Sequence, residues 1–253
     1  MPCPSKPMSL SIIIPTLNEA AYLPRLLEHL RDSVQASQDL EIIVADGGST
    51  DGTPELALRH GARLVRCARR GRAPQMNAGA ARASGAVLYF LHADTLPPKH
   101  FVPLIQKAVA EGFIAGCFRL RFDSNHWWLR LLAWFTRLPL TALRFGDQSL
   151  FVTRQAFLHC GGFREDLHLL EDQDLVRRLK ARGPFRLLPH AVITSHRKYR
   201  SNGFFRLQGI YFLLYFLYRI GMPPDGLARL YQRLIRKEQS GPLPVEPDPL
   251  RKP

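Results

Sequence analysis

Two apolar runs in this chain each close on an aspartate. Glu41-Ile42-Ile43-Val44-Ala45 ends at Asp46, followed by Gly47-Gly48-Ser49, and Val87-Leu88-Tyr89-Phe90-Leu91-His92-Ala93 ends at Asp94. Short β-branched and aromatic runs of this kind read as strands buried on both faces, which belong to parallel sheets. A carboxylate at the end of such a strand stands at the carboxyl edge of the sheet, where open α/β folds bind ligands. A third acidic point, Glu171-Asp172, follows about eighty residues later. The three points suggest a nucleotide site, a metal and a base.

The rest of the first half supports a parallel sheet. Leu10 to Ile14 is a short strand closed by Pro15. From Glu19 the spacing becomes helical at Leu23, Leu26, Leu27, Leu30 and Val34, with Asn18 a candidate N-cap. Thr53-Pro54-Glu55 has the cap, first-turn proline and early acid of a helix start. Arg63 to Arg66 reads as a third strand, Ala73 to Ala83 as a helix and Val87 to Leu91 as a fourth strand. Pro97-Pro98 then opens a helix through Val109. This βαβαβ alternation predicts a mostly parallel α/β sheet with helices on both faces.

The second half is less regular. Phe113 to Phe122 and Ser149 to Val152 can form strands, and Asp172 to Arg182 has helical spacing stopped by Gly183-Pro184. Trp127 to Phe145 is rich in aromatics and arginine. No internal repeat is found. The expected organisation is one catalytic α/β domain over residues 8–200, a helical, amphipathic extension over 201–238, and a proline-rich disordered tail over 239–253.

With 253 residues the chain is long enough for a substantial core. Lysine and arginine number 35 against 21 acidic residues, a formal net charge of +14. That balance implies an anionic partner or a solvated basic surface. No nucleic-acid-binding signature is present, so nucleic acid is not expected. Cys3, Cys67, Cys117 and Cys160 form no C-x-x-C pair and read as free thiols. The N-terminus carries no apolar stretch of the signal-peptide kind, so the expected location is cytoplasmic, at the inner face of a membrane if the aromatic segments touch one. Ile210 to Tyr218 is about 13 Å of helix, too short for a hydrocarbon core of about 30 Å. It suits either an interfacial helix flanked by Arg206 and Arg219 or a helix packed on the sheet.

Four motifs then occur in order: Ile14-Pro15-Thr16-Leu17-Asn18-Glu19; Val44-Ala45-Asp46-Gly47-Gly48-Ser49-Thr50-Asp51-Gly52-Thr53; Leu91-His92-Ala93-Asp94-Thr95; and Glu171-Asp172-Gln173-Asp174-Leu175. Together they resemble the family 2 glycosyltransferases of GT-A fold, over roughly residues 10 to 200. The Leu-His-Ala-Asp-Thr variant and Leu227-Ala228-Arg229-Leu230-Tyr231 are most similar to a bacterial subgroup named for arsenosugar biosynthesis.

The resemblance implies an inverting transfer of sugar from a nucleotide-diphosphate sugar to an acceptor hydroxyl. It places Pro15, Thr16, Asn18, Glu19, Asp46 and Gly48 at the nucleoside. Asp94 falls where a D-x-D carboxylate would bind Mg2+ or Mn2+ against the diphosphate. His92 replaces the first carboxylate of that motif. It reads as a metal ligand, a nucleotide contact or a packing residue, and an imidazole there would favour manganese. Arg72 or Asn77 could touch the nucleotide, or simply begin a helix with a charged face. Asp172 is the expected general base, because an acceptor hydroxyl must lose its proton as it attacks the anomeric carbon. Glu171 would orient the loop.

Gly146, Asp147 and Gln148 resemble a loop lining the acceptor site. Arg197 and Tyr199 preserve the Arg-plus-aromatic part of a diphosphate-clasping segment found in membrane-linked relatives. His196 is a further metal candidate or a surface histidine. The acceptor, small molecule or lipid-linked, has no legible code. Two other readings stand beside this one: a sugar nucleotidyltransferase, which would need a Gly-rich pyrophosphate loop after the first strand, and a non-catalytic basic interaction module.

Overall fold

The computed structural model describes residues 8–35, 40–138 and 146–235. The expected tail, Cys3 and the end of the Trp127 to Phe145 segment lie outside the described residues. Four strands open the fold: β1 (Leu10–Thr16), β2 (Leu40–Asp46), β3 (Arg63–Arg66) and β4 (Val87–Phe90). They pair in parallel in the order β3-β2-β1-β4, with Thr16 level with Asp46 at the carboxyl edge. The intervening helices are α1 (Leu23–Gln35), α2 (Thr53–Arg59) and α3 (Arg72–Arg82).

Successive β1 residues feed opposite faces, as a pleated strand requires. Ile12 and Ile14 join Leu23, Leu26, Leu30, Tyr89 and Phe101 in one core. Ile13 joins Ile43, Met76, Phe90, Phe157 and Leu175 in the other. The parallel pattern expected from the sequence is therefore present over its first half.

The sheet then changes character. Beyond β5 (Thr95–Leu96) and α4 (Phe101–Ala110) come β6 (Ala115–Phe122), α5 (Trp127–Phe135), β7 (Leu150–Thr153), α6 (Arg154–His159) and α7 (Glu171–Lys180). They are followed by β8 (Phe185–Thr194), α8 (Arg197–Asn202), α9 (Phe204–Arg219) and α10 (Pro224–Leu234). The complete order is β3-β2-β1-β4-β7-β6-β8-β5, with β7 antiparallel to both β4 and β6. β8, which the sequence did not suggest, contains Pro189. The register against β6 jumps from Phe118–Leu188 to Arg119–Ala191, so Pro189 sits in a bulge where no ladder bond is needed.

Three local readings are corrected. Asn18 does not cap α1, which begins at Leu23; Asn18 adopts φ 57° in the preceding loop. Thr53 is the first residue of α2, and Gly52, at φ 83°, occupies the cap. β4 ends at Phe90, so Asp94 stands on the turn between β4 and β5 rather than at a strand end. The Ile210 to Tyr218 run lies within α9 and is half-buried. Ile210 and Leu214 pack with Leu227 of α10, while Phe212, Leu213 and Phe216 face out. No helix among the described residues is long and apolar enough to cross a membrane.

Candidate active site

The loops after β1 and β2 are stitched to one another. Asp46 is 3 % exposed, and both its oxygens accept protein hydrogen bonds. Oδ2 takes the Gly48 and Ser49 amides at 2.9 Å, and Oδ1 takes the Ser49 and Thr16 hydroxyls. Gly48, at φ 89°, allows the chain to wrap around that carboxylate. Asn18 accepts the Thr50 amide at 2.9 Å, and its own amide donates to Ser49 Oγ. The Glu19 amide donates to Thr53 Oγ1 and the Ala20 amide to Asp51. Burial opposes the charge on Asp51, but the Thr53 hydroxyl and the Ala20 and Thr53 amides, all donating to it, outweigh that and hold its carboxyl below the usual range.

Gln75 of α3, absent from the sequence reading, joins the two strands. Its buried amide donates to the carbonyls of Thr16 and Ala45 at 2.6 and 2.8 Å. Its signal in sequence would have been a polar residue on the buried face of a short helix. Asn77 is likewise committed to the fold. It donates to Phe163 O and Glu165 and accepts the Phe163 amide.

Next to these loops Arg197, at the start of α8, joins two carboxylates from distant segments. Its terminal nitrogens donate to Glu19 at 2.8 and 3.0 Å, and its Nε lies 3.1 Å from Asp94 Oδ2. The guanidinium also stacks over Tyr22, 4.3 Å from the ring centroid. Three residues expected at the donor thus converge on one ion cluster.

The histidines behave differently. His196 Nδ1 is 2.6 Å from Asp123, which also accepts the His196 amide. His92 is buried, with Nδ1 3.1 Å from Asp147. Among the described residues no three His, Cys, Asp or Glu side chains gather as a metal cage. Asp94, His92 and His196 each have protein partners: Arg197, Asp147 and Asp123 respectively.

The catalytic candidates lie at the polar end of a cleft of about 450 Å3. Arg72, Asp147, Glu171, Asp172 and Lys198 form that end. The remainder is largely apolar, walled by Trp128 and Leu132 of α5 and by Tyr211 and Leu214 of α9. Leu170, at φ 63°, turns the chain so that α7 begins with both carboxylates directed at the cleft. Asn18 and Ser149 are the other non-glycine residues of positive φ among those described.

Burial raises the pKa of Glu171, and the neighbouring Asp172 charge raises it further against the pull of Arg72. Its Oε1 is buried without a hydrogen-bond partner, as suits a carboxyl that keeps its proton. Burial also raises Asp172, opposed by the positive fields of His92 and Arg72. Of the pair, Asp172 is the one placed to carry the charge. Asp147 is enclosed by protein but keeps 42 % of its side-chain surface open to the cleft. Burial works against its ionisation, yet His92, Lys198 and Arg72 hold its carboxyl well below the usual range.

Gln148 is buried beside Cys117, and Gly146 opens the short turn that presents Asp147. Asp174 of the same acidic motif has a structural role. Fully buried, it pairs with Arg177 and Arg178, and Arg178 in turn holds the carbonyls of Cys160 and Gly162.

Residues 11–168 match the family model for glycosyl transferase family 2. Among curated proteins, the undecaprenyl-phosphate 4-deoxy-4-formamido-L-arabinose transferase of Aeromonas hydrophila is 34 % identical over 132 residues, 49 % of this chain and 40 % of that protein. A PGL/p-HBAD biosynthesis glycosyltransferase of Mycobacterium bovis is 43 % identical over 90 residues, 33 % of this chain and 34 % of that protein. The chain thus spans well under half the length of either relative. Among solved structures, a mannosyltransferase from Pyrobaculum calidifontis in complex with GDP-Man and Mn2+ superposes with TM-score 0.69 at 20 % identity. That match covers 92 % of this chain and 72 % of the other. Glucosyl-3-phosphoglycerate synthase from Mycobacterium tuberculosis, with Mn2+ and UDP, gives 0.60 at 20 % identity, covering 87 % of this chain and 82 % of the other.

Proposed function

The chain belongs to the family 2 glycosyltransferases, and from that premise we propose that it transfers a sugar from a nucleotide-diphosphate sugar to an acceptor hydroxyl with inversion. The observation that carries the proposal is the pairing of two sites on one sheet edge. The Glu19–Arg197–Asp94 cluster lies beside the nucleotide loops, and Asp172 stands at the polar end of an adjoining cleft.

In this reading the loops around Thr16, Asn18 and Gly48 receive the nucleoside, with Asp46 shaping them from beneath. Arg197 receives the diphosphate. Asp172 takes the acceptor proton as the hydroxyl oxygen bonds to the anomeric carbon and the bond to the diphosphate breaks. A raised pKa makes Asp172 a stronger base than an ordinary aspartate. Neutral Glu171 adds no further negative charge beside it, and Arg72 with Lys198 faces the acceptor's polar end.

The donor set fits a divalent cation that arrives with the diphosphate. Asp94 offers one carboxylate at the mouth of the donor loops, and magnesium or manganese commonly takes one or two carboxylates plus phosphate oxygens. When bound, such a cation neutralises the charge that develops on the leaving diphosphate.

The apolar cleft favours an acceptor with a hydrophobic body, of the lipid-linked class, over a small polar one. The outward-facing aromatics of α5 and α9 suit a protein that works at a membrane surface. The decisive experiment is Asp172→Asn. Transfer should fall about 10²- to 10⁴-fold, the range for removing a positioned base, while titration with a nucleoside diphosphate shows unchanged affinity. Full turnover in that variant would remove the base from this reading.

A further inference from the structure

Helix α5 has two working faces. Trp128, Leu132 and Phe135 line the cleft that holds Asp172. Trp127, Arg130, Leu131 and Trp134, at the complementary i, i+3, i+4, i+7 spacing, line a separate groove of about 930 Å3 on the other side of the helix. Arg119 and Arg121 of β6 and Arg137 beyond α5 complete the groove, so four guanidiniums surround it. None of its described lining residues is acidic. None of the four arginines forms a side-chain ion pair among the described residues, and Arg119 Nε is buried with no hydrogen-bond partner. Four unpaired guanidiniums around one concave surface is an arrangement that calls for anions.

The rim is apolar. Trp127 and Trp134 are 60 % and 51 % exposed. The Trp127 ring lies 6.0 Å from Phe205, which continues the patch onto α9. Phe135 and Phe212 line the cleft and still reach solvent, marking a cleft mouth between α5 and α9 beside this surface. Basic groups flanked by exposed tryptophan and phenylalanine match the charge and depth profile of an anionic bilayer. Headgroup phosphates lie at the level of the arginines, and the indoles lie in the interface. A nucleic-acid groove would supply the phosphates but would leave the phenyl and leucyl tips without an apolar partner.

We propose that the Arg119–Arg121–Arg130–Arg137 groove, with Trp127 and Trp134 at its rim, is a docking surface for anionic phospholipid headgroups. Docking there holds the cleft mouth against the membrane, so an acceptor with an apolar body enters sideways between α5 and α9. The surface specifies the membrane partner of the transferase reading and rests on that reading only for its purpose, because binding is measured without turnover.

The test is co-sedimentation of the full chain with vesicles of phosphatidylcholine alone or mixed with phosphatidylglycerol. Binding should require the anionic lipid and weaken with salt. The double substitution Arg130→Gln/Arg137→Gln should weaken it about 30-fold, at roughly 1 kcal/mol for each basic residue near the surface. Trp127→Ala/Trp134→Ala should weaken binding while leaving salt dependence in place. Both variants should melt like the parent and hydrolyse donor at its rate.

Equal binding to neutral and anionic vesicles, or parent-like binding by the arginine variant, would overturn the proposal. So would displacement from vesicles by a short oligonucleotide at physiological salt, or a dimer in sedimentation that the tryptophan variant abolishes. Loss of donor hydrolysis with vesicle binding intact would count against the transferase reading alone.

Discussion

The nucleotide loops and the acceptor cleft adjoin each other yet treat their polar groups in opposite ways. In the loops nearly every polar atom is consumed by the protein: Asp46 by four donors, Gln75 by two strand carbonyls, Asn18 and Asp51 by amides across the loop pair. In the cleft, Glu171 Oε1 is orphaned, and Arg72 and Lys198 have no carboxylate in salt-bridge contact among the described residues. Saturated groups set the shape of a site, because a buried polar group with its bonds made contributes rigidity. Unsatisfied groups bear an energetic cost that a ligand can relieve. In the proposed transfer, backbone shape and the Arg197 cluster would serve donor recognition, and side-chain charge would serve the reacting hydroxyl.

The largest effect expected at the donor end concerns the cation. Because no cage of further ligands surrounds Asp94 among the described residues, Mn2+ alone should leave the melting temperature almost unchanged, as should a nucleoside diphosphate without metal. Together, at about a hundredfold excess over Kd, they should stabilise by about 2.7 kcal/mol. Stabilisation by the cation alone would instead reveal a resident metal site and break the comparison.

A smaller effect is expected from Asp46→Ala. It strands the Gly48 and Ser49 amides and should cost about 1–3 kcal/mol in denaturant unfolding, with a raised donor KM. A variant that kept full stability and lost only donor affinity would make Asp46 a direct ligand contact.

The parallel half of the sheet was legible because its signals are local. β1, β2 and β4 are continuous apolar runs, and each following helix has its own periodicity. β5, with two residues, and β8, interrupted by Pro189, exist through pairing partners far away in the chain, which no local pattern records. The site divides in the same way. Asp94, Glu19 and Arg197 were each singled out by motif, but their meeting in one ion cluster depends on the return of α8 to the first loop.

Asn77 and Asp174 show the converse. Each sits inside a catalytic-looking motif, and each is absorbed by hydrogen bonds that fix the 160–165 segment. Motif position identifies the neighbourhood; partner satisfaction separates ligand contacts from structural ones.

A third prediction tests the cleft side of the comparison directly. Burial, reinforced by Asp172, raises the folded pKa of Glu171 above its unfolded value. The folded state therefore binds a proton that the unfolded chain releases at lower pH. The stability this contributes is complete below the unfolded pKa and is lost as pH rises through the folded one. Glu171→Gln keeps the shape and removes the titration. Its melting temperature should match the parent's in mild acid and exceed it in alkaline buffer, by about 2–4 °C for each kcal/mol recovered. Transfer at neutral pH should persist if Asp172 is the base and Glu171 its neutral neighbour. A variant with unchanged alkaline stability and abolished transfer would exchange the two roles, giving Glu171 the proton-accepting position and Asp172 the supporting one.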